Sequence, residues 1–296
     1  MNPDGAEAAP GAAASAAAHV TRAPGIPSVD WWITSRCNLA CDFCYGPVPG
    51  RDPIELRGEI AEALAASSAS VVTFCGGEPL LVKKIGDYAA ALRDGSKATV
   101  LNTNGTLLRK RLDQGLKLAF SMVGISIEGS TQQVHGAMRG DGADLAEALA
   151  AARLIAGAPG ISLKVGTVVS SVNSGDLPSL ARLIRDLQPD IWRLYQYSAR
   201  GKQNSGQQRH QLPEAEFRKI THEISAIAAP VPAARSSESE TQGCLIVDPS
   251  GNVLQPSDND YIIRGNCLEE PLDDIWNRMP ARSGVIANKR WLSIIG

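Results

Sequence analysis

The stretch Asp30-Trp31-Trp32-Ile33-Thr34-Ser35-Arg36-Cys37-Asn38-Leu39-Ala40-Cys41-Asp42-Phe43-Cys44-Tyr45 decides how the chain is read. A short apolar run leads directly into three cysteines at CxxxCxxC spacing. A compact loop leaving a strand can aim three thiolates at one point, as a metal or an iron–sulfur cluster requires. Ordinary clusters take four cysteines, so a count of three leaves one iron open to a small ligand. A zinc ion completed by a distant residue is the alternative, as are three unrelated thiols. Zinc knuckles usually pair one CxxC with another downstream, and no CxxC or HxxxH follows here.

Working outward, Val71-Val72-Thr73-Phe74 runs into Cys75-Gly76-Gly77-Glu78-Pro79, and Thr99-Val100-Leu101 is followed by Thr103-Asn104-Gly105. Strand, glycine turn, then polar residue is how a barrel presents backbone and side chains at its mouth. Apolar runs predict strands near 30–34, 71–75, 97–103, 121–127, 162–169 and 191–196. Helices are expected near 54–66, 82–93, 107–114, 143–156 and 177–187. In the last of these, Leu177, Leu180, Ile184 and Leu187 recur at helical spacing, with Asp176 as a cap and Pro178 in the first turn. Strand–helix alternation of this kind implies a parallel sheet with right-handed crossovers. Periodicity alone leaves an open doubly wound sheet and a barrel equally possible.

A chain of 296 residues suffices for one barrel-sized domain and an appendage. Its formal charge of −2, from 29 basic and 31 acidic residues, gives no footprint for nucleic acid or an anionic membrane. No run of 18 apolar residues is available to span a bilayer. Six cysteines, three of them in one motif, do not make a disulfide framework, and thiolates meant for a cluster argue for a reducing, cytoplasmic setting. Residues 1–25 are mostly Ala, Gly, Pro and polar, without the basic and bulky apolar parts of a signal peptide, and are expected to be a disordered tail. Residues 198–212 form a long polar loop or lid, Pro213 to Ile227 a helix, and Pro230 to position 242 a boundary. Leu245 to Val253 reads as strand, turn, strand, and Leu272, Ile275 and Trp276 as the apolar side of a final helix.

In order and separation, CNLACDFCY, GGEP and TNG resemble the radical S-adenosylmethionine superfamily, over roughly positions 29 to 230. The resemblance implies an α/β fold: a partial (βα)6 parallel barrel over 26–229, with a small C-terminal β-hairpin and helix, 230–296, covering its mouth. It implies one [4Fe–4S] cluster on Cys37, Cys41 and Cys44, S-adenosylmethionine on the open iron, and an electron donor such as flavodoxin or ferredoxin. Reductive cleavage would give methionine and a 5′-deoxyadenosyl radical that takes a hydrogen atom from the substrate. Gly76, Gly77, Glu78 and Pro79 are similar to the family's motif for the methionine amino group, although GGEP alone would serve as a turn before a helix. Tyr45 resembles the aromatic residue near the adenine. Ser126, at the end of the fourth strand, and Arg139, in the loop that follows, are similar to a pair that holds the methionine carboxylate in relatives; an arginine fork suits a carboxylate. Asn104 is a further candidate at the same mouth, and His135 is expected to order its loop.

A second resemblance, to viperin-like nucleotide dehydratases, rests on Lys164-Val-Gly-Thr-Val-Val, Trp192-Arg193-Leu-Tyr-Gln196 and the hairpin after Cys244. It implies that Lys164 and Arg193 face a substrate's phosphates. Gly166 replaces a polar family residue and Cys244 stands where the family has a tyrosine, so the substrate does not carry over directly. Charges aimed into a barrel mouth need an anionic partner or water. The expected substrate is therefore an anionic small molecule of specialised metabolism, such as a nucleotide, a sugar nucleotide or a uronic acid-like sugar. Cys244 is a candidate hydrogen-atom donor, or else a small buried hydrophobe. The tail also resembles relatives with auxiliary clusters, but the hairpin runs into Gln255-Pro256-Ser257, and Cys244 and Cys267 are too few for a second cluster. Cys75 is expected to pack near the cofactor. The rival readings are a peptide-modifying maturase, which would carry a peptide-binding domain and auxiliary cysteines, and a non-catalytic iron–sulfur or zinc protein, which would leave GGEP and the Ser126/Arg139 pair without purpose.

Overall fold

The structure, a computed structural model, describes residues 25–47, 50–201, 204, 208–237, 245–257 and 260–279. The N-terminal tail up to residue 24 and Cys244 lie outside them. Six parallel strands pair in chain order: β1 (Val29–Thr34), β2 (Val71–Gly76), β3 (Ala98–Thr103), β4 (Met122–Ser126), β5 (Ser162–Val169) and β6 (Ile191–Gln196). Between them run α1 (Arg57–Ala66), α2 (Ile85–Asp94), α3 (Leu108–Asp113), α4 (Gln132–Arg139), α5 (Leu145–Ala156) and α6 (Leu177–Leu187), and α7 (Glu214–Ala228) follows β6.

Strand alternation explains why the sheet has a filled outside and a functional inside. One face turns Trp31, Ile33, Phe74, Leu101, Val123, Val165, Trp192 and Leu194 outward beneath the helices, where all are buried. Burying each such side chain is worth about 1.5–3 kcal/mol. On the other face, Val71, Val100, Met122 and Ile191 form a separate apolar plug. Farther along the same face come Asp30, Asn102, Gly124, Ser126, Lys164, Gly166 and Tyr195, which line a cavity instead. Helix α6 has Pro178 in its first turn, buries Leu177, Leu180, Ala181 and Ile184, and ends on Gln188 in the left-handed conformation. Asp176 precedes it, but its side chain caps no helix N–H, because the carboxylate accepts from the Ser130 N–H and hydroxyl instead.

Three elements differ from the sequence expectation. The segment from His135 to Arg139, read as a loop, is the end of α4, capped by Thr131 at its start and closed by Gly140 at φ 79°. Val134 and Met138 are one turn apart, but Gly136 and Gly140 interrupt the pattern. Within the stretch read as a boundary, β7 (Ala233–Ser236) pairs in parallel with β6, from Trp192↔Ala233 to Tyr195↔Ser236; its sequence, Ala-Ala-Arg-Ser, carries no β-branched signal. On the opposite edge β8 (Leu245–Val247) pairs in parallel with β1, and β9 (Asn252–Pro256) and an unforeseen β10 (Tyr261–Asn266) continue antiparallel. Among the described residues this gives one sheet, ordered β10-β9-β8-β1-β2-β3-β4-β5-β6-β7. Helix α8 (Leu272–Arg278) packs Leu272, Ile275 and Trp276 onto it. Cys267 is buried beside these residues as part of the apolar core. Among the described residues, no helix is long and apolar enough to cross a membrane.

Candidate functional site

The loop after β1 carries the three cysteines, and all three line one cavity of about 200 Å³ at the C-terminal ends of the strands. Tyr45, Gly76, Gly77, Glu78, Asn104, Ser126 and Arg139 line the same cavity, as does Cys75. Pro79 sits just behind, opening the 3-10 turn Pro79–Leu81.

Glycine is required at the GGEP motif because the cysteine-bearing loop lies on it. A Cβ at Gly77 would stand 2.0 Å from the Arg36 carbonyl oxygen. At Gly76, where φ is +116°, it would meet the Thr34 carbonyl at 2.6 Å. The backbone donors of the motif hold the loop in place: Gly77 N–H donates to Thr34 O and Glu78 N–H to Arg36 O, each at 2.8 Å. The Glu78 side chain is only 1% exposed. Its carboxylate accepts from the Thr103 hydroxyl at 2.7 Å and from the N–H groups of Asn104 and Leu80 at 3.0 Å. Burial raises its pKa, while those donors and Arg139 pull it down. Glu78 therefore braces the ends of β2 and β3. Asn104 does similar work, because its amide donates to Asn38 Oδ1 in the cluster loop at 3.0 Å and its oxygen accepts from Thr106.

Arg139 reaches the cavity from the last turn of α4. Its Nε and Nη2 donate to Glu128 Oε1 at 3.2 and 2.7 Å, and Nη1 lies 3.9 Å from Cys41 Sγ. Glu128, 1% exposed, gives its other oxygen to the Val168 N–H at 2.6 Å. Burial opposes both charges; each partner opposes that effect for the other. Sequence reasoning missed Glu128. The available signal was a carboxylate at an apolar strand end, which must find a cation when buried. His135 accepts the Glu128 N–H through Nδ1 at 3.2 Å. Burial first, and Arg139 second, hold its pKa near 4, so a neutral ring orders the junction.

The thiols carry donors suited to thiolates. Leu39 N–H reaches Cys37 Sγ and Gly46 N–H reaches Cys44 Sγ, both at 3.4 Å. Burial pushes the free Cys41 thiol up to about 11, so ligation would displace a proton. Among the described residues, no three His, Cys, Asp or Glu side chains close on a position for a single ion. In a cubane each thiolate instead takes its own iron. The donor set, three cysteines on one short loop with glycines beneath it and N–H groups on two of the sulfurs, fits a cluster held by three thiolates.

A second cavity of about 110 Å³ adjoins the first, and Asp30, Phe43, Tyr45, Asn102, Lys164, Val168 and Tyr195 line both. Lys164 is 2% exposed and lies across β4 where Gly124 leaves room: a Cβ there would be 2.4 Å from Lys164 Cε. Burial depresses the Lys164 pKa, Tyr195 raises it and Arg193 lowers it. Arg193 lines only the second cavity, with its guanidinium 5.3 Å from the Tyr195 ring centroid and donating to the Ser236 hydroxyl. Burial alone would raise the Tyr195 pKa, but Lys164 and Arg193 together bring it below its ordinary value. Tyr195 and the buried Arg200, which lines the second cavity, were also missed, since Tyr195 reads as an ordinary strand aromatic within Trp192–Gln196 and Arg200 as part of a polar loop.

The family model described as the Radical SAM superfamily matches residues 32–184. Pre-heme d1 synthase from Dinoroseobacter shibae is 30% identical over 196 residues, covering 64% of this chain, and the chain spans only 48% of that relative's length. The S-adenosylmethionine-dependent nucleotide dehydratase of Flammeovirga pacifica is 24% identical over 269 residues, covering 86% of this chain and 91% of that one. Among solved structures, Streptococcus suis SuiB bound to S-adenosylmethionine aligns with a TM-score of 0.67 at 15% identity, covering 86% of this chain and 67% of that one. At that identity the likeness concerns the fold.

Proposed function

The chain belongs to the radical SAM superfamily, whose cofactors are a [4Fe–4S] cluster and S-adenosylmethionine, and from that premise we propose that it acts on an anionic small molecule, a nucleotide or sugar derivative, held in the second cavity. When bound, the cofactor pair supplies a radical that removes a hydrogen atom from the substrate. The protein's part is positional. Cys37, Cys41 and Cys44 hold the cluster, and the backbone of Gly76 and Gly77 meets the methionine amino group. Ser126 and the Nη1 edge of Arg139 meet the methionine carboxylate. Tyr45 stands beside the adenine. Glu78 and Asn104 support these contacts from behind, because their polar atoms already serve the cluster loop. On the substrate side, Lys164 and Arg193 bind negative charge, and their burial excludes the water that would screen it.

The observation that carries this reading is the shared wall. Lys164 and Tyr195 line both cavities, so an anion held by the buried cations stands beside the cofactor, where hydrogen transfer needs proximity. The similarity to a nucleotide dehydratase over most of both chains points the same way. The test is incubation of reconstituted protein with candidate nucleotides and sugar phosphates carrying deuterium, following its transfer into 5′-deoxyadenosine. Transfer from one anionic substrate supports the reading. Equal substrate affinity after Lys164→Ala and Arg193→Ala contradicts it.

A further inference from the structure

The cluster loop is gripped on both sides, and the second grip comes from the far end of the chain. Asp42 Oδ1 lies 2.8 Å from His210 Nε2, and Arg209 also reaches its carboxylate. The Phe43 carbonyl accepts from Asn204 Nδ2 at 3.0 Å, and the Tyr45 carbonyl accepts from the Tyr261 hydroxyl at 2.7 Å. The three residues immediately around Cys44 are thus tied to side chains 161 to 216 positions later. His210 and Asn204 are fully buried. The His210 ring meets Phe43 edge-on at 5.8 Å between centroids and packs against Tyr197 at 5.3 Å. Asn204 is itself fixed, since the Tyr197 hydroxyl donates to its Oδ1 at 2.7 Å and its amide donates to the Ser198 carbonyl at 2.6 Å. Within the turn, Cys44 N–H reaches Cys41 O at 3.2 Å. An irregular loop with so little internal bonding takes its path from whatever holds it.

We propose that Tyr261, Asn204 and His210 are positioning residues that set the path of the cluster loop through Cys44. Tyr197 and Tyr261 line the second cavity, so the same clamp joins the seat of Cys44 to the walls around the substrate. Any shift there that a ligand imposes reaches the loop through one hydrogen bond from Tyr261 or two from Tyr197, and the coupling is reciprocal. The inference rests on the reading of the three cysteines as cluster ligands.

The test uses the full chain reconstituted anaerobically with iron and sulfide. Iron release to an excess of ferrous chelator is followed by absorbance, and the reduced cluster is examined by electron paramagnetic resonance. Tyr261→Phe removes a single hydroxyl; Asn204→Asp keeps the acceptor for Tyr197 and loses the amide donor. Each is expected to speed iron release about tenfold, the worth of one hydrogen bond, and to move the resonance of the reduced cluster. Tyr261→Phe does so without lowering the melting temperature by more than a few degrees, whereas Asn204→Asp sets a carboxyl against the Phe43 and Ser198 carbonyls and also costs stability. Wild-type release and an unmoved spectrum in folded Tyr261→Phe overturn the proposal, as does a lowered melting temperature with an unmoved spectrum. Should Asn204→Asp not fold, Tyr261→Phe decides alone. A wild-type chain that takes up no iron defeats the cluster reading itself, whereas iron-loaded variants that match wild type defeat only the clamp.

Discussion

The two halves of the barrel mouth are built from different materials. On the side of β1 to β3, the site is backbone: glycines that admit a passing carbonyl, and N–H groups that fix the cluster loop. On the side of β5 to β7, it is charged and aromatic side chains, Lys164, Arg193 and Tyr195, with Lys164 lying over Gly124 and Tyr195 over Gly166. A backbone cradle has one tolerated geometry and suits an invariant cofactor. A side-chain wall can change its chemistry without moving the fold, which suits a substrate.

The contrast predicts how each half breaks. Replacing Cys37, Cys41 or Cys44 by Ala should give the largest effect, lowering reconstituted iron from about four per chain to less than one; retention of full iron by any of the three would remove that residue from the ligand set. Next comes a matched pair. Gly77→Ala drives a methyl group into the Arg36 carbonyl and should cost about 3 kcal/mol. Gly124→Ala meets the flexible end of Lys164 and the Asn102 side chain and should cost less than about 1 kcal/mol while weakening substrate binding. Chemical denaturation of both variants gives the difference directly, and equal losses would erase the distinction between the halves. Lys164→Ala and Arg193→Ala should each weaken substrate binding by about 10- to 100-fold, the worth of a hydrogen bond to a charge, with iron content unchanged. Lost iron in either variant would mean that the two sides are not separable.

The gentlest effect is on pH dependence. Because His135 is held near pH 4 in the folded chain and near pH 6.5 when unfolded, the unfolded state binds the extra proton between those values. Stability should be full above about pH 6.5 and fall as pH drops toward 4, by no more than about 1.4 kcal/mol per pH unit from this residue. His135→Gln, which keeps an acceptor for the Glu128 N–H, should flatten that part of the curve. An unchanged slope would assign it to other groups.

The same contrast explains what the sequence disclosed. The cofactor half announces itself because its requirements are local: CxxxCxxC, GGEP and TNG each describe one strand end and one turn. The six core strands and the helix Leu177–Leu187 were equally plain, because period-two and period-3.6 patterns lie within a few residues. The half proposed for the substrate depends on contacts across the sheet. Lys164 and Arg193 drew attention through the resemblance to nucleotide dehydratases, but Tyr195 beside them is an ordinary strand aromatic until the fold brings both cations to it. Glu128 pairs with Arg139 eleven positions on, through a helix that glycines had hidden. Strand β7 exists only because β6 offers it an edge, and no side chain in Ala-Ala-Arg-Ser marks that.

The central claim is that three thiolates hold a cluster with one iron open to S-adenosylmethionine. Electron paramagnetic resonance of the reduced, reconstituted chain, recorded with and without S-adenosylmethionine and read against its iron content, tests it most directly. The account predicts about four irons per chain and a spectrum that shifts when S-adenosylmethionine is added. No iron, about eight irons, or a spectrum indifferent to S-adenosylmethionine would contradict it.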